Sequence, residues 1–157
     1  MRDFQPVDLV AVQEREKSTD ANIRMGRYGL PVPEEFNTHR ALLDESDLDR
    51  LYLIPEFGKH TAGSTALLKD VTESALSDHR VRQFLSPPIN LQIAPRLELI
   101  TFTVNPEKSP IIVGDGNHRI IAHFWTYRTV DGVPLFICSH PTVAWWDFCP
   151  PGARIRF

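Results

Sequence analysis

Apolar positions in this chain change period several times, and each change marks an element. Leu51-Tyr52-Leu53-Ile54 is a short apolar run stopped by Pro55, which predicts a buried strand, and a polar loop follows from Gly58 to Gly63. From Ser64 or Thr65 onward, Ala66, Leu67, Val71 and Leu76 recur at helical spacing with Asp70 and Glu73 facing water, which predicts a helix. Asp78 then caps a shorter helix that runs through Val81, Phe84 and Leu85 and stops at Pro87-Pro88. Three strands are expected next. Ile89 to Ile93 alternates, Leu97 to Val104 partly alternates, and Ile111 to Val113 is continuous and therefore central in a sheet. Asn105 to Ser109 joins the last two as a hairpin loop. After Gly114 the period becomes 3.6, with Ile120, Ile121, Phe124 and Trp125 on one helical face. Asp131-Gly132 closes that helix, and Val133 to Cys138 is one more strand.

Before Leu51 the pattern predicts helices rather than strands. One runs from Pro6 to Lys17 and another from Thr38 to Leu51, where Asn37 or Thr38 caps and Leu42, Leu43 and Leu48 form the apolar side. Gly26 to Pro33, punctuated by Gly and Pro, reads as an extended connector between them. The expected architecture is α/β (α+β): a small mixed sheet with flanking helices over residues 51–140, behind an N-terminal helical extension over 1–50. Residues 141–157 form a C-terminal tail whose Trp145-Trp146-Asp147-Phe148 cluster is expected to pack on the domain, although such rings can also stack on a base. Helices joined by a Pro/Gly connector can swap between protomers, so a homodimer through 1–50 is the expected self-association.

Composition narrows the class. A chain of 157 residues with 42% hydrophobic and 24% charged residues has the makeup of one globular domain, with no apolar run of membrane-spanning length. The N-terminus mixes acids and bases without the apolar core of a secretory signal, and a cytoplasmic protein is expected. The net charge of −3 argues against a surface that holds nucleic acid mainly by neutralising phosphates. Charge is also uneven: residues 1–50 carry seven bases and eleven acids, residues 51–157 ten and nine, so an anion would find its bases in the later part. Cys138 and Cys149 read as free thiols, since Cys138, His140 and Cys149 have no compact ligand-pair spacing for zinc. His39, His79 and His123 stand isolated in the pattern and are assigned no chemistry.

The most informative stretch is Ile111 to Ala122, where a buried strand ends at Gly114 and Gly116 and a helix begins at once. Unpaired N–H groups at a helix start, the positive end of its dipole, and glycines that let a ligand approach the main chain all favour phosphate. Arg119 can hold phosphate oxygens with two parallel hydrogen bonds, and His118 can donate whether neutral or charged. Asp115 is positioned to recruit Mg²⁺, to orient His118 or to cap the helix, and a mixed cap and metal role is expected. The competing reading is a plain turn and cap, with Arg119 paired to a nearby acid.

Asp115-Gly116-Asn117-His118-Arg119 resembles the nucleotide-phosphate motif of the ParB N-terminal and sulfiredoxin superfamily, Gly-x-His-Arg or Gly-x-Arg-Arg at a strand-to-helix junction. Tyr52-Leu53-Ile54-Pro55, Pro87-Pro88-Ile89-Asn90-Leu91 and Val133-Pro134-Leu135-Phe136-Ile137 are similar to supporting segments of that family, so the resemblance spans about residues 51 to 140. Where sulfiredoxins place their catalytic Cys stands Asn117, which cannot attack sulfur. Partition proteins carry Arg-Arg and a following helix-turn-helix, for which this chain has no room. The Asp-Gly-x-His-Arg variant looks more like the free-serine kinases and small NTPase or nuclease-like members. The resemblance implies ATP or another nucleotide with Mg²⁺, and phosphoryl transfer to a small acceptor or NTP hydrolysis. Gly116, Asn117, His118 and Arg119 would grip the phosphates, with Lys59, His60, Ser64 and Thr65 on the other side and Glu56 as a base or metal ligand. Rival expectations are a DNA-binding or nuclease protein and a non-catalytic platform for a partner.

Overall fold

Long apolar runs build the centre of the sheet. In the computed structural model, which describes residues 1–8, 36–93, 98–145 and 149–153, six strands form one mixed sheet. They are β1 (Arg2–Pro6), β2 (Asn37–Leu42), β3 (Leu51–Tyr52), β4 (Leu99–Thr103), β5 (Ile111–Asp115) and β6 (Pro134–Ser139). Their spatial order is β1-β2-β6-β4-β5-β3. β4 and β6 are buried along their whole length, and β5 is buried up to Asp115. Such two-sided burial explains the continuous apolar run of β5, and it extends in β4 to the buried polar residues Thr101 and Thr103. β1–β2, β2–β6 and β4–β5 pair antiparallel, whereas β4–β6 and β3–β5 pair parallel. Among the described residues two α-helices, α1 (His79–Gln83) and α2 (Asn117–Tyr127), accompany the sheet, and short 3₁₀ turns supply most of the described connections. Among the described residues no helix is long and apolar enough to cross a membrane.

The mixed α/β class holds, while three expected elements do not. Residues 38–51 form no α-helix: they make β2 and then a 3₁₀ turn over Glu45–Arg50. Thr38 and Ala41 are buried and Arg40 is exposed, and Asp44 stops the strand by accepting from the Ser46 N–H while Asp47 accepts from the Asp44 N–H. The leucines at 42, 43 and 48 therefore belong to different elements. The described parts of the expected N-terminal helical extension are thus strands β1 and β2 of the common sheet, and the expected helix over Pro6–Lys17 falls outside the described residues beyond Asp8. The connector at residues 26–33 also lies outside them.

The helix expected from Ser64 is replaced by 3₁₀ turns at Ala62–Ser64, Leu68–Asp70 and Glu73–Ser77. Gly63, Ser64 and Ala66 have positive φ, and the Thr65 hydroxyl accepts from the Leu67 N–H while donating to Asp70. Local hydroxyl bonding competes with the helical ladder here. Ile89 to Ile93 forms no strand either: Asn90 Oδ1 accepts from the Gln92 N–H to make a turn, and Ile93 is 78% exposed. The Asp78 cap is in place, accepting from the N–H groups of Arg80 and Val81. In the tail, Val143, Ala144, Cys149 and Ala153 are buried, whereas the Trp145–Phe148 side chains lie outside what is described.

The parallel pairing of β3 with β5 positions the site. Chain leaving β3 through Pro55–His60 and chain leaving β5 into α2 emerge at the same end of the sheet, beside α1. Asn117 ties them together. Its buried side chain accepts from the Ile54 N–H at 3.2 Å and donates to the Val113 carbonyl at 2.8 Å.

Candidate functional site

The strand-to-helix junction is packed rather than open. Gly116 has φ 96° and is itself the N-cap of α2, and a Cβ there would lie 2.5 Å from Leu99 Cδ2. A Cβ on Gly114 would meet Phe102 Cε2 at 2.3 Å. Both glycines are therefore required by the approach of β4 side chains to the backbone. Arg119 is 8% exposed and its Nη2 donates to Asp115 Oδ2 at 3.0 Å. Asp115 is thus the ion-pair partner of Arg119, one turn apart, and the cap role falls to Gly116. Asn117 is used in bridging β3 to β5, as described above.

Chemistry gathers one step away, where His118 leaves the first turn of α2 on its exposed side. A cleft of about 400 Å³ is lined there by Glu56, Phe57 and Lys59 from the segment after β3, by Asp78, His79 and Arg80 from the start of α1, and by His118. The His118 ring meets Phe57 edge-on with centroids 4.8 Å apart, and its Nε2 stands 3.8 Å from Asp78 Oδ1. On the far side of the same carboxylate, His60 Nε2 is 3.3 Å from Asp78 Oδ2, and His60 is 4% exposed. One carboxylate thus lies between two imidazoles, one facing the cleft and one behind it.

Burial lowers the His118 pKa below the usual imidazole value; Asp78 pulls it back up, while the charges of Arg80, His60 and Arg119 lower it further. Partial burial raises the Asp78 carboxyl, but hydrogen bonds from the Val81 and Arg80 N–H groups, the charge of His118 and the bond to His60 outweigh it and leave the pKa below the usual carboxylate value. An ionised Asp78 beside an imidazole held near neutrality is an acid–base arrangement, in which the carboxylate stabilises the imidazolium that forms on proton transfer.

Of the residues expected from sequence, Glu56, Lys59 and His118 come together in this cleft. Gly116, Asn117, Arg119 and Asp115 stand at the packed junction beside it. Ser64 and Thr65 are in neither place: Thr65 Oγ1 donates to Asp70 Oδ2 at 2.7 Å, and Ser64 is an exposed turn residue with φ 55°. Sequence reasoning missed Asp78 as more than a cap, and it missed His60 as its partner and Arg80 and His79 as lining residues. The only available signal was the density of charge and imidazole between Asp78 and Arg82. Among the described residues no group of three or more His, Cys, Asp or Glu is placed to hold a metal ion. With Asp115 paired to Arg119 and Asp78 engaged by helix N–H groups and imidazoles, Glu56 is the open carboxylate of the cleft.

Fold and site together define a mixed α/β protein with a polar cleft, lined by His118 and Asp78, at the shared end of two parallel strands. Comparison with protein families, with curated proteins and with solved structures finds no match to this chain.

Proposed function

We propose that the protein binds a nucleotide by its phosphates in the cleft and promotes phosphoryl transfer to a small acceptor or hydrolysis of the nucleotide. The observation that carries this reading is the placing of two cations, Lys59 and Arg80, around His118 backed by Asp78 in a concavity of small-ligand size. Lys59 and Arg80 neutralise phosphate oxygens, His118 exchanges a proton with the reacting oxygen, and Glu56 accepts the proton of an acceptor hydroxyl or of water. Positioning and charge neutralisation suffice for such a reaction without a covalent intermediate. Mg²⁺, when it takes part, belongs to the nucleotide's phosphates with Glu56 the nearest open ligand, since such ions are held by one or two carboxylates plus substrate.

A nucleic-acid reading needs a continuous basic face. Arg119 is buried against Asp115, Arg82 donates to the Leu76 and Ser77 carbonyls, and Arg128 lies 4.4 Å over the Trp125 ring at the far end of α2, roughly 16 Å from its start. A small ligand is therefore the better supported partner. Calorimetric titration of ATP, ADP, CTP and GTP with Mg²⁺ into the wild type, Lys59→Ala and Arg80→Ala tests it. Binding by the wild type that weakens in both variants supports the reading. No binding by any nucleotide sinks it and favours a non-catalytic platform.

A further inference from the structure

The carboxylate between two imidazoles leaves one group without a role. His60 is buried and does not line the cleft, and among the described residues its side-chain polar contact is with Asp78. An ionised carboxylate only accepts hydrogen bonds, so His60 Nε2 must carry the proton in this pair. Its ring is held in place by Phe57, with centroids 5.9 Å apart, and its carbonyl accepts from both the N–H and the hydroxyl of Thr72. Asp78 Oδ1 is fixed by the Arg80 and Val81 N–H groups at 2.9 and 3.3 Å, and Oδ2, among the described residues, by His60.

We propose that His60 is a positioning residue that acts through Asp78: by holding Oδ2 from behind the cleft, it keeps Oδ1 turned toward His118. The role attributed to His118 rests on the reading of the cleft given above, but the coupling of the three side chains is measurable without any ligand. Groups facing His118 are Asp78 and Arg80 at the start of α1, His60 and Phe57 after β3, and Arg119 on its own helix, with Glu56 and Lys59 across the cleft. Removing His60 takes away the one hydrogen bond that holds Oδ2 back from the cleft. More of the Asp78 charge is then available to the His118 imidazolium, so His118 binds its proton more tightly.

The test is an NMR titration of the imidazoles in the full chain. In the wild type, ¹⁵N shifts are expected to show His60 with its proton on Nε2. A proton on Nδ1 with none on Nε2 overturns the proposal with no substitution needed. In His60→Phe, which keeps a ring in the buried space and removes the donor, the His118 midpoint is expected to rise by about half a unit or more. His60→Gln, whose amide can donate to Oδ2, is expected to bring it back toward the wild-type value. In an Asp78→Asn background, His60→Phe is expected to leave His118 where Asp78→Asn put it, because the connecting charge is gone. Equal His118 midpoints in folded wild type and His60→Phe overturn the proposal. Failure of every nucleotide to bind in calorimetry removes the phosphate reading alone, since the His118 midpoints are read on the free protein.

Discussion

Two neighbouring regions of this molecule carry similar residue types and use them in opposite ways. At the junction of β5 and α2, Asp115, Gly116, Asn117 and Arg119 are engaged with one another and the backbone: the acid pairs with the base through Nη2, the amide bridges two strands, and the glycine admits Leu99, although Arg119 Nε is buried without a partner among the described residues. A few ångströms along, Glu56, Lys59, Asp78, Arg80 and His118 surround open space. The difference teaches that glycines and charges at a strand-to-helix turn can be explained by packing, while groups free to act on a ligand stand beside them. His118 belongs to both regions, since it shares the first turn of α2 but projects into the cleft.

The contrast is broken most forcefully at the junction. Gly116→Val combines a β-branched residue at positive φ with a contact that Leu99 must vacate, and a loss of roughly 3 kcal/mol is expected in urea unfolding. Asn117→Ala leaves the buried Ile54 N–H without its acceptor and is expected to cost about 2 kcal/mol by the same measurement. In the cleft the order of effects reverses. Arg80→Ala, an exposed change, is expected to alter stability by no more than about 0.5 kcal/mol while weakening nucleotide binding about tenfold. If calorimetry on folded protein shows Gly116→Val and Arg80→Ala reducing binding equally, the two regions are one site and the distinction collapses.

The smallest effect is with pH. Burial holds the pKa values of His118 and His123 below the usual 6.5, against the attraction of Asp78 in the first case and of the Ile89 and Thr129 backbone in the second. The unfolded chain therefore takes up these protons first as the pH falls. The stability that depends on their staying neutral is full above 6.5 and is lost as pH drops through their folded values. The urea midpoint at about pH 5 is expected below that at about pH 7.5. An unchanged midpoint would show that the two imidazoles are less buried than described.

The parts of the fold that could be read from sequence are those whose burial is uniform. β5 and β6 announced themselves through apolar runs, β4 through a partly alternating one, α2 through one clear change of period, and the Asp78 cap through its position before Val81. β1 did not, because every residue in it is exposed and an edge strand has no buried face to pattern. Residues 38–51 misled because Leu42, Leu43 and Leu48 imitate a helical stripe while serving a strand, a loop and a 3₁₀ turn. In the site, Glu56, Lys59 and His118 were legible as the polar residues that follow strands. His60, Asp78, Arg80 and His118 become neighbours through the packing of α1 against α2 and of the Pro55–His60 segment against the turn at Glu73–Ser77, and no local spacing encodes those contacts.

The pairing of β3 with β5 also has a consequence in time. Leu51 finds Ile111 only after the intervening chain has closed a long loop, and the segments that border the cleft ride on that closure. Non-local parallel pairing is intrinsically slow, so the cleft waits on a slow step of folding. A chain with much of its sheet formed can still lack a place for ligand. Once the closure occurs, a ligand that recognises only the finished cleft slows its reopening.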